Sequence, residues 1–125
     1  MRPIKFRAWD KINQKMIEVN NLTFYSDKSP AGNQNIHIYD RVIDDFELMQ
    51  FTGLLDKSGK EIYEGDIIRA EEPSFESGTY NWQIEWMNAA FLCRTKETTT
   101  LEPLFAFSDV EVIGNIYENL ELLTP

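Results

Sequence analysis

Four carboxylates lie close together near the middle of the chain. They are Asp56, Glu61, Glu64 and Asp66. An alternating strand could direct several of them to one side, where oxygen ligands would hold a hard cation such as Ca²⁺. The segment after Asp56 does not follow the calcium-loop pattern, because Ser58 and Lys60 stand where acidic ligands are needed. We therefore interpret Asp56 as a turn-capping residue and expect neither a metal nor a cofactor.

Nucleophilic chemistry has little support in the sequence. The single cysteine, Cys93, and the single histidine, His37, lie in different parts of the chain, and a catalytic thiol needs a histidine partner. P-loop, G-x-S-x-G, H-E-x-x-H and C-x-x-C motifs are missing. Carboxylate-pair hydrolysis stays open, although no spacing singles out a pair. We expect no catalytic residue, and we interpret Cys93 as a small buried hydrophobe.

Three tryptophans are the candidate contact residues for a partner. Trp9 lies beside a predicted turn, and Trp82 and Trp86 share one side of an alternating segment with Tyr80. Exposed aromatic side chains can anchor a protein partner or stack on nucleic-acid bases. Packing in the core is the alternative, and for the second segment it is the favoured one. We assign Trp9, Trp82 and Trp86 as the predicted interaction surface.

The overall charge argues against a nucleic-acid ligand. The chain carries 12 Lys and Arg against 21 Asp and Glu, for a net charge of −9. Binding to a phosphate backbone needs a basic face, so direct nucleic-acid binding is not expected. An acidic protein could instead imitate the charge of nucleic acid, provided that its carboxylates are spread along one face.

Three glycines organise the central segment. Gly53, Gly59 and Gly65 are spaced six residues apart between short apolar pieces. Glycine adopts positive φ without a Cβ clash, which is typical of repeated tight turns. We predict a strand that turns repeatedly at the corner of a small β-barrel. We expect positive φ at Gly65, with Tyr63 and Ile67 facing the core on either side of this corner.

The remaining pattern predicts a mostly β protein with little helix. Alternation predicts an N-terminal β-hairpin at residues 4–19 and a strand at Thr79–Met87, which is the clearest one. We predict a loop at residues 26–35, a short helix or turn at 39–44, a strand at 46–51 and an irregular segment or edge strand at 101–107. We also predict a last strand at 110–117 with a bulge at Gly114, followed by a helical turn at 118–123.

The fold class is an N-terminal hairpin plus a small SH3-like, barrel-like domain. We expect one domain over residues 1–125, with sub-parts 1–45 and 46–125.

Three sequence segments resemble the YopX family of phage and prophage proteins. They are I-K-F-R-A-W-D-K at residues 4–11, L-M-Q-F-T-G-L-L-D-K-S-G-K-E-I-Y-E-G-D-I at 48–67, and V-I-G-N-I-Y-E-N at 112–119. Leu120 stands where the family usually has a proline. The resemblance implies a mostly β, barrel-like domain encoded by a phage or prophage. It implies no biochemical activity and no catalytic residues.

Three functions from different classes are compatible with these observations. The first is a non-enzymatic interaction module that binds an unidentified host or phage protein. The second is an acidic nucleic-acid mimic, and the third is a carboxylate-site hydrolase. The N-terminus lacks an apolar signal region, and no apolar run is long enough to span a membrane. We expect a cytoplasmic protein in a bacterial host cell without membrane association, and homo-oligomer formation is left open.

Overall fold

The structure is a computed structural model that describes residues 2–25, 36–74 and 78–124. Strands make up 53% of the described residues and 3₁₀-helices 9%, so the prediction of a mostly β protein is confirmed. The expected barrel-like character is present as a sheet that curls into a half-barrel. The predicted loop at residues 26–35 lies outside the described residues.

The chain divides into two compact units, residues 1–50 and 51–125, which we call the N-terminal and C-terminal units. The N-terminal unit contains a 3₁₀-helix at Ile43–Asp45. Its strands are β1 (Phe6–Asp10), β2 (Lys15–Val19), β3 (Leu22–Phe24), β4 (Ile36–Ile38), β5 (Arg41–Val42) and the first half of β6 (Phe46–Leu55). The single domain over residues 1–125 stays a prediction.

The N-terminal hairpin has the predicted pairing. In β1 and β2, Ala8 faces Ile17, and β1 also pairs with the first half of β6. Ala8, Ile38 and Phe46 form a small buried core, against which Ile17 and other aliphatic side chains pack. Ala8, Trp9 and Asp10 are buried in succession, so both faces of β1 are covered at this end of the hairpin.

In the segment between β4 and β6, the prediction of a short helix or turn at residues 39–44 is confirmed in part, since residues 39–40 form a turn. Arg41–Val42 pairs with β4, and only Ile43–Asp45 forms a 3₁₀-helix. β6 also continues to Leu55, beyond the predicted end at residue 51. Its second half pairs with Glu61–Tyr63, with a register shift that the alternation in the sequence did not show.

The C-terminal unit is built around a five-stranded antiparallel sheet. The five strands are β8 (Asp66–Glu71), β9 (Thr79–Met87), β10 (Ala90–Arg94), β11 (Glu102–Pro103) and β12 (Glu111–Asn115). The unit also contains β7 (Glu61–Tyr63), which pairs with the second half of β6. The sheet order is β11-β10-β9-β8-β12. Pro103 lies on the edge strand β11, where its missing N–H costs no ladder hydrogen bond.

The core of this unit lies on the face of the sheet that carries Trp82 and Ile84. These residues pack with Ile62, Ile68 and Leu104, all almost fully buried. We predicted that Tyr63 would face the core before Gly65. The structure instead buries its neighbour Ile62 and leaves Tyr63 half-buried against the ring of Phe51.

The last strand contains the predicted bulge. The register of β12 against β8 shifts between Val112 and Gly114. A Cβ at Gly114 would lie 2.6 Å from Oδ1 of Asn119, so only glycine permits this approach. The strand ends at Asn115, two residues before the predicted end, and the predicted helical turn is a 3₁₀-helix at Leu120–Leu123.

In the described part of the chain, no helix has the length and apolar character needed to cross a bilayer.

Candidate functional site

The three tryptophans of the predicted interaction surface lie in different environments. Trp82 is fully buried, and its indole Nε1 donates a hydrogen bond to the carbonyl of Ala70 at 3.1 Å. Trp9 is buried in the N-terminal unit. Only Trp86 is exposed, at 52%, and its ring packs edge-on against Phe91. The alternation placed Trp86 with Trp82, but Trp86 is the penultimate residue of β9, next to the hairpin turn.

The central carboxylates are engaged in local structure. Oδ1 of Asp56 accepts hydrogen bonds from the backbone N–H groups of Ser58 and Lys60, at 2.8 and 2.9 Å. Its Oδ2 accepts one from the N–H of Val112 at 3.0 Å. The expectation that Asp56 caps a turn is confirmed, and Asp56 also joins this turn to β12. Among the described residues, no group of three or more His, Cys, Asp or Glu side chains could hold a metal ion.

Two opposing effects set the pKa of Asp56. Burial by itself raises the pKa of this carboxyl. The hydrogen bonds from the backbone of Val112, Lys60 and Ser58, together with the charge of Lys60, outweigh burial, and the pKa lies below its usual value. Asp56 is therefore a charged acceptor at neutral pH rather than a proton donor.

A second buried carboxylate, Asp10, closes the N-terminal hairpin. The Arg41 guanidinium donates to both carboxylate oxygens of Asp10, at 2.8 and 3.0 Å. The backbone N–H groups of Ile12 and Asn13 also donate to Asp10, at 3.0 and 3.1 Å. The hydrogen bond from Arg41 is the main reason why the pKa of Asp10 lies far below its usual range. Burial opposes this shift, and the hydrogen bonds from Asn13 and Ile12 support it.

The buried thiol of Cys93 is not poised for catalysis. Cys93 is fully buried, as the sequence predicts. Burial, with a contribution from the charge of Glu102, raises the pKa of the thiol to about 12. A thiol with this pKa is almost entirely protonated at neutral pH and is a poor nucleophile.

The three central glycines all adopt the left-handed conformation. Their φ angles are 89° at Gly53, 85° at Gly59 and 86° at Gly65. Gly65 is also buried in the turn between β7 and β8. Its N–H donates to the carbonyl of Ile84 and its carbonyl accepts from the N–H of Ile116, both at 2.9 Å. The corner at Gly65 is therefore tied to two other segments of the C-terminal unit.

The C-terminal unit has an open apolar cleft beside the 3₁₀-helix at Leu104–Ala106. We call it the Phe105 cleft; it has a volume of ≈ 290 Å³. Large apolar side chains form its rim: Phe105 is 82% exposed, Leu55 57% and Leu54 43%. Buried Ile62, Leu104 and Val110 also line the cleft. Exposed apolar side chains grouped around a concavity are typical of interaction surfaces.

Local backbone structure explains why Phe105 is exposed. Pro103 has φ −67° and ψ 140° and precedes the single 3₁₀ turn, which closes with a hydrogen bond from the N–H of Phe107 to the carbonyl of Leu104. The turn buries Leu104 and directs the next residue, Phe105, to solvent. Our reasoning from the sequence did not single out Phe105, Leu54 and Leu55: it placed Phe105 in an irregular segment or edge strand, and Leu54 and Leu55 in a short apolar piece between turns. The proline before Phe105 was the signal that this segment does not alternate.

The charged side chains on the wall of the cleft differ in whether they have a partner of opposite charge. Nζ of Lys57 lies 3.4 Å from a carboxylate oxygen of Glu111. Asp109 is exposed, with φ 52°, in the loop before Val110. Among the described residues, the carboxylate of Asp109 has no hydrogen-bond or ion-pair partner. The cleft is therefore an apolar concavity with one uncompensated negative charge.

Comparison with known proteins places the chain in a family. A family model described as YopX protein matches residues 5–124. The crystal structure of protein EF1440 from Enterococcus faecalis has 30% sequence identity and a TM-score of 0.63, and the match covers 98% of this chain and 99% of that one. The crystal structure of protein yopX from Bacillus subtilis covers the same shares, with 18% identity and a TM-score of 0.62, and shows the shared fold. Curated proteins give no match. Because the family model spans nearly the whole sequence, the chain belongs to the YopX protein family.

Proposed function

We propose that this protein is a non-enzymatic interaction module, encoded by a phage or prophage, that binds a host or phage protein through the Phe105 cleft. The observation that carries the proposal is the 82% exposure of Phe105 beside exposed Leu54 and Leu55. Three large apolar side chains are in contact with water around one concavity, and they lack the stabilisation that burial would supply. A bound partner would supply that burial.

The dimensions of the cleft favour a protein partner over a small molecule. A volume of ≈ 290 Å³ is at the lower end of the range of about 300–1,000 Å³ for ligand pockets. An open cleft of this size suits one or two anchoring side chains of a larger partner. Aromatic residues such as Phe105 are also enriched at protein interfaces.

The chemistry of the C-terminal unit also supports a non-enzymatic role. The Cys93 thiol is buried with a raised pKa, and Asp56 uses both oxygens to hold backbone N–H groups. The proposed phage or prophage origin follows from the resemblance of the three sequence segments to phage and prophage proteins.

A capture experiment with matched variants tests the proposal. Tagged wild-type protein, Phe105→Ser and Leu120→Ser would be incubated with bacterial host lysate, and retained proteins would be identified by mass spectrometry. Leu120 is an exposed apolar residue of the same unit that does not line the cleft, so it controls for nonspecific apolar contact. We expect a protein that wild type and Leu120→Ser retain and Phe105→Ser loses.

Binding must then be reproduced with the purified partner by calorimetry. Loss of an interface anchor typically weakens affinity about tenfold or more. Equal affinity of wild type and Phe105→Ser for that partner would show that the cleft is not the binding surface. Because Phe105 is exposed, the Ser variant is expected to fold, which circular dichroism would verify.

A further inference from the structure

We infer that the Phe105 cleft takes a short peptide segment that carries large apolar side chains next to a Lys or Arg, and that Asp109 binds the cation. This inference rests on the proposed function and names the class of partner. Phe105 and Leu55 line the cleft and are exposed, whereas Ile62 and Leu104 line it and are buried. The cleft therefore offers apolar contact from its rim to its interior. Such a surface selects an apolar anchor from the partner.

The charges around the cleft determine which kind of partner residue can lie beside the apolar anchor. Lys57 is compensated by Glu111 at 3.4 Å, and Asp56 is held by backbone N–H groups with the charge of Lys60 near it. Asp109 is the remaining charge on the wall, and within the described residues nothing compensates it. A Lys or Arg adjacent to the apolar anchor would pair with Asp109, whereas an acidic residue there would be repelled.

The net charge of the chain favours the same class of partner. At −9 the protein attracts basic segments over long range and speeds their association. The same charge disfavours a second copy of this chain, because two copies would each bring −9 and an uncompensated Asp109 to the interface. We therefore assign the cleft to an apolar-basic segment of another protein.

Selection from a displayed library of random short peptides tests the inference. Wild-type protein would be the bait, and clones that also bind Phe105→Ser would be removed. Enriched sequences are expected to contain Phe, Leu or Trp beside Lys or Arg. Enrichment of acidic sequences, of sequences without a basic residue, or of no Phe105-dependent sequence would overturn the inference.

An enriched peptide then serves as the probe for Asp109. At low salt, Asp109→Asn is expected to weaken its binding about two- to fivefold, as for an exposed ion pair, and high salt should remove the difference. Asparagine tolerates the positive φ at this position, so the variant changes the charge while preserving the loop. Leu120→Ser should bind like wild type.

The outcomes separate the two proposals. If Phe105→Ser loses the peptide but Asp109→Asn binds like wild type at low salt, the charge assignment is wrong and the cleft remains a binding surface. If analytical ultracentrifugation shows a dimer that Phe105→Ser abolishes, the cleft belongs to a second copy and the inference is overturned. Such a dimer would overturn the proposed function as well, whereas failure of the peptide test alone leaves the proposed function to the capture and calorimetry experiments.

Discussion

Asp10 and Asp56 show how one buried carboxylate can organise a turn. Each accepts hydrogen bonds from at least two backbone N–H groups that lack a strand partner. An ionised acceptor makes shorter and stronger hydrogen bonds than a neutral one. Each also binds a group distant in sequence: Arg41 for Asp10 and the N–H of Val112 for Asp56. One residue thus links a local turn to the packing of its unit.

Acid should destabilise the protein through these carboxylates. Because the pKa of Asp10 is lower in the folded state than in the unfolded state, its stabilising contribution is present above the unfolded pKa of about 3.9. The contribution is lost as the pH falls below that value towards the folded pKa. We expect the urea midpoint of the wild-type protein to fall steeply below about pH 4, with Asp56 contributing in the same direction.

Asp10→Asn should lower the urea midpoint at neutral pH, since Asn carries no charge for Arg41 to pair with. It should also reduce the loss of stability as the pH falls. Asp44→Asn is the control, because Asp44 is exposed. The urea midpoint of Asp44→Asn should depend on pH in the same way as that of the wild-type protein. The same pH dependence in Asp10→Asn as in wild type would mean that the bond to Arg41 does not control acid stability.

Gly65 is the residue at which a side chain should cost most among the turn glycines that we predicted. Its φ of 86° is unfavourable for residues with a Cβ, by roughly 1–2 kcal/mol, and a β-branched side chain adds to this cost. Gly65→Val should therefore destabilise by about 2 kcal/mol or more, whereas Ser58→Val, at an exposed loop position, should be nearly neutral. Urea unfolding of both variants measures the difference. Equal midpoints would show that the corner at Gly65 is not important for stability.

At the scale of elements, the β9–β10 hairpin combines a well-matched turn with an unfavourable residue. Asn88 and Ala89 have φ of 52° and 62°, and Met87 pairs with Ala90 across them. A two-residue turn with both φ angles positive matches the right-handed twist of the strands and favours Asn-Gly. Alanine at the second position is therefore strained.

Ala89→Gly should stabilise the protein by about 0.5–1 kcal/mol. The relief of left-handed strain, about 1–2 kcal/mol, exceeds the added entropy of glycine in the unfolded chain. Ala90→Gly, one residue later in β10, should instead destabilise by a similar amount, because glycine in a strand loses more conformational entropy. Thermal unfolding followed by circular dichroism distinguishes the two. A lower midpoint for Ala89→Gly would mean that the turn has no strain to relieve.

The cleft also depends on how elements meet. The 3₁₀-helix at Leu104–Ala106 supplies Phe105, and the end of β6 supplies Leu54 and Leu55. Asp56 follows β6 directly and accepts a hydrogen bond from the N–H of Val112, which joins the end of β6 to β12. The backbone N–H of Lys57 donates to the carbonyl of Val110 at 2.9 Å and adds a second link. The β6 wall of the cleft is thus fixed by hydrogen bonds, whereas the 3₁₀-helix is anchored by Leu104, which is buried in the apolar core.

For the whole molecule, the net charge governs what can bind. At −9 the chain should show no measurable binding to duplex DNA at physiological salt, because contacts to phosphates need Lys and Arg that are not compensated by acidic neighbours. A gel-shift titration with micromolar protein checks this expectation. A shifted band that weakens with added salt would reveal a basic surface despite the net charge.

Local pattern determined much of the secondary structure. The alternation in Thr79–Met87 and the turn-forming residues between β1 and β2 predicted these strands. The spacing of the central glycines predicted the turns at Gly59 and Gly65, whereas Gly53, also at positive φ, lies inside β6 at its register shift. The bulge at Gly114 and the turn cap at Asp56 were also predictable. All of these features depend on residues close in sequence, where side-chain period and backbone sterics act directly.

Tertiary structure decided which apolar side chains remain in solvent. Trp82 and Trp86 occupy equivalent positions in the alternation, yet Trp82 is fully buried and Trp86 is 52% exposed. Phe105 and Leu104 are adjacent, with 82% and 4% exposure. Whether such a residue is covered depends on segments distant in the chain, as with the bond that joins Asp56 to Val112 across 56 positions. The fold class and the acidic charge follow from the sequence alone, whereas the cleft and its uncompensated Asp109 arise only when distant segments pack, because burial depends on contacts between them.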